Sequence, residues 1–352
     1  MATMIFVAGC KKDNPTTTPV DYDGTPYTLD YGDLPPPPIA TDNELTVQGV
    51  KLGRMLFYET MLSKDGSMSC ASCHRQKHAF SDTNQLSIGV DGFPGKRQAM
   101  AVFNMAWNTN EFFWDGRAHL LRHQSLKPIE DSLEMAEFLP NVISKLESVQ
   151  AYKDQFKRAF GSEEITSEKM SLAMEQFMNS IVSVESKYDK FLRGDATLSA
   201  SEEHGRKLFF TEYNQFFPDS SGADCAHCHA GLNFENDQYM NNGLDAPAFQ
   251  TDIGREEVSG DANDRAKFKV PSLRNVELTT PYMHDGRFTT LEEVLDHYNN
   301  NLKASPTLDP ALQQTIGTGL MLTPQDKADI IAFLKTLTDE ELMTNEAYSD
   351  PF

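Results

Sequence analysis

Apolar side chains recur along this chain at helical spacing. Met174, Phe177, Ile181, Val184, Tyr188 and Phe191 alternate three- and four-residue steps. That spacing puts them on one face of a single predicted helix, which Gly194 can end. Thr323 and Pro324 precede Ile330, Ile331, Phe333, Leu334 and Leu337, the order of an N-cap, a first-turn proline and a final amphipathic helix. Thr290 and Glu293 have capping-box spacing, so Leu291, Leu295 and Tyr298 share a face of another helix. From about Asn43 onward the chain reads as mainly α. Ahead of it, Pro15, Pro19, Pro26 and the run Pro35 to Pro38 favour extended polyproline conformation, and residues 11 to about 40 read as a tether. No run approaches the roughly 18 consecutive apolar residues of a membrane span.

A repeat organises the rest. Gly53-Arg54-Met55-Leu56-Phe57-Tyr58 is echoed by Gly205-Arg206-Lys207-Leu208-Phe209-Phe210, and Phe112-Phe113-Trp114-Asp115-Gly116-Arg117 by Tyr282-Met283-His284-Asp285-Gly286-Arg287. An asparagine, Asn104 or Asn275, precedes each member of the second pair. An internal duplication accounts for this. The expected divisions are residues 1–42 as leader and tether, 43–195 as a first helical domain and 196–345 as a second, with the link near Gly194 to Glu203.

Composition narrows the partners. The 352 residues carry 31 basic and 52 acidic side chains, a net charge of −21. That balance argues against nucleic acid and anionic membranes, and favours a basic protein partner if charge steers docking at all. Of the five cysteines, Cys10 closes Val7-Ala8-Gly9-Cys10 and precedes Lys11 and Lys12. This resembles a bacterial lipoprotein signal, cut short at its start, and predicts a lipid anchor at Cys10 and a periplasmic location.

The other four cysteines carry the chemistry. Cys70-Ala71-Ser72-Cys73-His74 and Cys225-Ala226-His227-Cys228-His229 are each the Cys-x-x-Cys-His signature of c-type haem attachment. The two thiols form thioethers with the haem vinyl groups and the histidine becomes the proximal iron ligand. Two covalent haems are expected. A shared four-cysteine zinc site is the competing reading, disfavoured because each pair is followed by histidine and the pairs lie about 150 residues apart.

Between and around these runs stand Ala79-Phe80-Ser81-Asp82, Trp114-Asp115-Gly116-Arg117, Leu273-Arg274-Asn275-Val276-Glu277-Leu278-Thr279 and Pro281-Tyr282-Met283-His284-Asp285-Gly286. With these motifs in this order, residues 45 to 340 resemble the bacterial diheme cytochrome c peroxidases and the related MauG enzymes. The resemblance implies two cytochrome c-like helical domains, with peroxide reduced at the haem of Cys70, Cys73 and His74 and electrons relayed through that of Cys225, Cys228 and His229. It implies Glu134 as the distal acid-base group, although Glu130, Asp131 and Glu137 are acidic neighbours, and Trp114 as an electron-transfer aromatic between the haems. For the sixth ligand of the second haem it points to Tyr298, with Met283, His284 and Met321 as alternatives and a core tyrosine as the plain reading. A calcium between the domains would involve Gln98, where the family has asparagine, and backbone oxygens of Thr279 and Pro281, in keeping with calcium's preference for oxygen.

Two departures bear on activity. The distal histidine that caps the resting iron in the peroxidases is matched by Val90, which cannot ligate a metal, and Ile88, Gly89, Asp91 and Gly92 offer no substitute. His78 follows the proximal ligand and is expected to be structural or exposed; His119, His123, His204, His227 and His297 are expected to be mostly solvated. Ala223 stands where MauG carries a surface tryptophan. The expected reaction is reduction of hydrogen peroxide by a small donor protein of cytochrome c or cupredoxin type. MauG-like oxidation of a protein side chain and a purely electron-carrying cytochrome are the alternatives. The oligomeric state, with a homodimer among the options, stays open.

Overall fold

The computed structural model describes residues 20–352; the lipoprotein-like Cys10 lies outside the described residues. The helices in chain order are α1 (Val47–Tyr58), α2 (Cys70–Cys73), α3 (Leu121–Glu130), α4 (Leu139–Glu147), α5 (Gln150–Phe160), α6 (Ser167–Ser180), α7 (Lys187–Leu192), α8 (Ala200–Phe210), α9 (Glu256–Ser259), α10 (Leu291–Asp296), α11 (Pro310–Gln313), α12 (Pro324–Lys335) and α13 (Glu340–Thr344). The described strands are an antiparallel pair, β1 (Tyr239–Met240) and β2 (Phe268–Lys269). The fold is mainly helical, as the spacing predicts.

Thr46 caps α1 through its side-chain oxygen, and the helix buries Leu52, Leu56 and Phe57 against Phe177 of α6. Gly53 sets how close the two helices come: a Cβ there would sit 1.9 Å from the Ala173 carbonyl oxygen. Gly205 of α8 repeats this against α12, where a Cβ would sit 1.8 Å from the Asp329 oxygen. The other echoed residues also match locally. Asn104 and Asn275 both have left-handed backbone, as do Phe113 and Met283, and Phe112–Ala118 and Tyr282–Phe288 form equivalent bridges.

Two apolar cores result. The first gathers Leu52, Phe80, Ile129, Val142, Phe156 and Phe177; the second gathers Phe209, Phe234, Leu295, Ile330 and Phe333. Leu342 and Tyr348, near the end of the chain, pack into the first core, and the backbone oxygens of Tyr348 and Ser349 accept from Tyr58 and Arg54. The division expected at 196–345 therefore does not describe α13, which returns to the first core.

Two local expectations change. The stripe from Met174 to Phe191 is two helices rather than one: α6 ends at Ser180, residues 181–185 are extended, and α7 starts in a Ser186–Asp189 capping box. Partners distant in sequence replace the helical hydrogen bonds. Asn104 exchanges two hydrogen bonds with Ser183, and the buried Asp339 carboxylate accepts from Ser183, Val184 and Glu185. Residues 20–42, expected to be a tether, form no helix but lie on the body of the protein. Leu34 is buried with Val182 and Val184, and the Pro35 oxygen accepts from the Trp107 indole. The apolar Leu34 gains more from burial there than a free segment would.

Candidate diheme site

Each Cys-x-x-Cys-His run folds as one tight turn. Ser69 and Ser72 form a capping box that starts α2, and the His74 amide donates to the Cys70 oxygen at 2.9 Å. In the second run the His229 amide donates to the Cys225 oxygen, also at 2.9 Å. Both runs border one continuous cavity of about 1470 Å³. Close-packed interiors rarely hold voids much larger than a water, and a pocket for one small ligand spans roughly 300–1,000 Å³. The space suits two large planar cofactors.

The donor set fits haem. Burial depresses the basicity of both histidines, His229 to about 4, so the imidazoles are neutral. His74 Nδ1 lies 3.1 Å from the Phe80 oxygen, and His229 Nδ1 lies 3.1 Å from the Pro271 oxygen. A backbone acceptor at Nδ1 fixes the proton there and leaves Nε2 as the ligating nitrogen. Burial also pushes the Cys70, Cys225 and Cys228 thiols up to about 12 and raises that of Cys73. Thiols held neutral suit thioether attachment better than thiolate coordination. Among the described residues no three His, Cys, Asp or Glu side chains converge to hold a metal ion, so the four-cysteine zinc reading finds no geometry.

Glu134 and its three acidic neighbours separate clearly. Glu137 accepts from Lys145, the Phe138 amide and Asn141; burial opposes its charge, yet these donors hold its pKa below the ordinary value. Glu130 is exposed and off the cavity wall. Asp131 borders the cavity but accepts from the Leu133 amide at 2.8 Å. Glu134 borders the cavity, and burial, with Asp131 adding to it against the pull of Arg117, pushes its carboxyl up to about 7.

The loop expected to lack a capping ligand is pinned beside it. The Val90 amide donates to the Glu134 backbone carbonyl at 2.8 Å, and a Cβ on Gly89 would sit 2.1 Å from the Leu133 backbone carbonyl oxygen. Ile88 pairs with Pro94 across the loop. His78 is half-buried and off the cavity wall.

At the second run, Tyr298 and Met283 come together. Both border the cavity, and the Asn242 side-chain amide donates to Met283 Sδ at 3.2 Å and to Tyr298 Oη at 3.4 Å. Burial raises the Tyr298 phenol well above its ordinary pKa. The capping box expected at Thr290 and Glu293 is present, but α10 gives way at His297–Asn301 to the wider turn of a π-helix, often found at functional positions. His284 stacks flat on Phe268 at 3.6 Å, and Met321 is exposed and away from the cavity.

Trp114 is buried on the cavity wall, its indole donating to the Gln98 oxygen at 2.8 Å while its own oxygen accepts from the Lys269 amide. Gln98, Thr279 and Pro281, expected around calcium, border the same cavity; the Gln98 amide nitrogen is engaged with Ser81 Oγ and the Asp82 oxygen. Ala223 is buried. Among the histidines expected to be solvated, His297 is the exception: it is buried, and its Nε2 bonds the Asn242 oxygen at 3.0 Å.

Three residues on or beside this wall were not singled out from the sequence. Glu235 is bonded by Asn233, and burial, followed by Asp237, pushes it up to about 7. Lys269 is buried and held by Asp237 and the Asn110 oxygen. Asn242 is the third. Single polar residues outside any motif carry no local signal; only the tertiary fold brings them to the cavity.

A family model described as di-haem cytochrome c peroxidase matches residues 47–197. MauG of Methylorubrum extorquens is 35% identical over 302 residues, covering 85% of this chain and 80% of that protein. Cytochrome c551 peroxidase of Nitrosomonas europaea is 35% identical over 295 residues, covering 83% and 80%. Among solved structures, a MauG-like protein associated with microbial copper homeostasis superposes with a TM-score of 0.81 at 32% identity, covering 92% of this chain and 99% of that one. With cavity, attachment turns and relatives in agreement over most of its length, the chain belongs to the di-haem cytochrome c peroxidase family.

Proposed function

We propose that this protein reduces hydrogen peroxide to two waters, drawing two electrons from a small redox protein and two protons from solvent. The observation that carries the reading is Glu134, a cavity-facing carboxyl whose pKa lies near neutrality. Cys70, Cys73 and His74 would hold a haem, which would supply the iron chemistry for peroxide reduction. Glu134 takes the proton from one peroxide oxygen and returns it to the other, which leaves as water. A group with pKa near the working pH is suited to both halves of that transfer. His74, with its Nδ1 proton directed to Phe80, supplies a fixed neutral imidazole. Cys225, Cys228 and His229 would hold the second haem, which would supply electron storage and relay; Tyr298 would serve as its further ligand, and the buried Trp114 would aid transfer between the two.

The chain divides on this reading into a peroxide-reacting unit and an electron-transfer unit, with calcium near Gln98, Thr279 and Pro281 stabilising their junction. The charge of −21 favours a donor with a basic face, and periplasmic exposure, anchored through Cys10, suits covalent haem. MauG-like oxidation of a protein side chain is less favoured, because Ala223 is buried and offers no surface aromatic. Replacing Glu134 with Gln is expected to slow peroxide turnover by roughly 10²–10⁴-fold while both haems remain attached. Near wild-type turnover in that variant would overturn the assignment.

A further inference from the structure

Asn242 occupies an unusual place between the two candidates for the sixth position of the C-terminal haem. Its side-chain nitrogen reaches Met283 Sδ at 3.2 Å and Tyr298 Oη at 3.4 Å, one N–H for each. A thioether sulfur accepts hydrogen bonds and never donates them, so the amide must turn its NH₂ end toward this pair.

Its backbone is held as firmly. The Asn242 oxygen is bonded by His297 Nε2 at 3.0 Å, and His297 is the residue before Tyr298. Asn242 is thus tied to the His297–Tyr298 turn through both main chain and side chain. The flanking Asn241 is fixed too, its amide donating to Ser305 Oγ and Thr307 Oγ1 and its Oδ1 accepting from the Gly243 amide. Met283 has left-handed backbone, φ 74°, at the turn that closes the Tyr282–Phe288 bridge.

We propose that Asn242 is a positioning residue that selects Tyr298 over Met283 as the group presented to the metal of the C-terminal haem. One N–H holds the thioether back and the other steadies the phenolic oxygen. The inference rests on the reading of Tyr298 as sixth ligand. A donor directed at the phenolic oxygen fixes its orientation, while a sulfur already engaged as acceptor must give up that bond before it can ligate. Both effects act in the same direction.

The test compares ferric and ferrous absorption, near-infrared magnetic circular dichroism and electron paramagnetic resonance of the haem-loaded wild type with N242L, Y298F and the double variant N242L/M283L. Y298F gives the signature of the haem without the phenolic ligand. N242L is expected to move the C-terminal haem from the oxygen-ligated toward a thioether-ligated signature, shifting the ratio of the two forms about tenfold, as loss of one ordinary hydrogen bond does. The double variant should lose that thioether signature. If Y298F matches the wild type, the ligand reading fails and the inference falls with it. If Y298F changes the spectrum but N242L retains the wild-type signals, the inference alone is overturned. Should N242L fail to attach its second haem, N242S is read instead, since a short hydroxyl cannot serve both partners; wild-type signals there would overturn it equally.

Discussion

Glu134 and Glu235 border one cavity, and neither forms an ion pair with the cations nearest to it. Arg117 is engaged with Asp115 and lies over the Phe113 ring, and Lys269 is engaged with Asp237. Burial pushes both carboxyls up to about 7. For Glu134 this sets a pH profile: the ionised form takes the peroxide proton, so kcat/KM for peroxide should fall about tenfold per unit as pH drops below about 7. That limb should vanish in E134Q; its persistence at the same pH would assign it to another group. For both residues the raised folded-state pKa means that stability is fully present below about 4.5, the ordinary value, and is lost as pH rises through about 7. E235Q should remove a share of that loss worth about 3 kcal/mol, read as urea midpoints at pH 5 and pH 8. Equal pH dependence in the variant and the wild type would mean that Glu235 is solvated in the loaded protein. From the sequence, only the surrounding motif singles out Glu134. Glu235 sits in Asn233-Phe234-Glu235-Asn236-Asp237, where nothing local separates a buried carboxyl from a surface one.

Helix contacts explain why some of the sequence could be read and some could not. Gly53 and Gly205 stood out because they open matching hexapeptides, and each proves to be where two helix backbones meet. Replacing Gly205 with Ala would drive a methyl to 1.8 Å from the Asp329 oxygen, a backbone atom that yields only if α8 and α12 part. The cost should be about 1–3 kcal/mol, the usual penalty for overpacking, and G53A should behave alike against α6. Denaturant midpoints of the haem-loaded variants within about 0.5 kcal/mol of wild type would show that the helices separate freely. The stripe from Met174 to Phe191 misled for a complementary reason. Its three- and four-residue steps are helical, but the residues that break it, Asn104 and Asp339, lie 79 and 155 positions from the backbone they bond. The family motifs owe much of their content to such joints: Arg274 pairs through both nitrogens with Asp189 at 2.8 Å, and Asn275 bonds Ser183 and the Asp339 amide.

At the scale of the whole molecule, the arrangement around the first haem run sets how the protein meets its substrate. A peroxidase whose resting iron is capped from the distal loop must shift that loop before peroxide can bind. Here residues 88–92 carry no histidine, and the loop is held where it lies. The Val90 amide bonds the Glu134 backbone carbonyl, Gly89 fits against Leu133 with no room for a side chain, and Ile88 pairs with Pro94. His78 does not line the cavity. An open metal position is what substrate binding requires, so the N-terminal haem should be high-spin in the fully ferric protein and react with peroxide without prior reduction. Stopped-flow mixing of the ferric protein with peroxide reads this directly, as an absorption change in the first turnover whose rate rises linearly with peroxide. Introducing a histidine, V90H, should slow that phase and convert part of the high-spin signal to low-spin, provided the pinned loop lets the imidazole reach the metal. A wild-type ferric state that is wholly low-spin and inert until one electron is added would mean that a ligand from another part of the chain occupies the position. The protein would then share the reductive activation of peroxidases that carry the histidine it lacks.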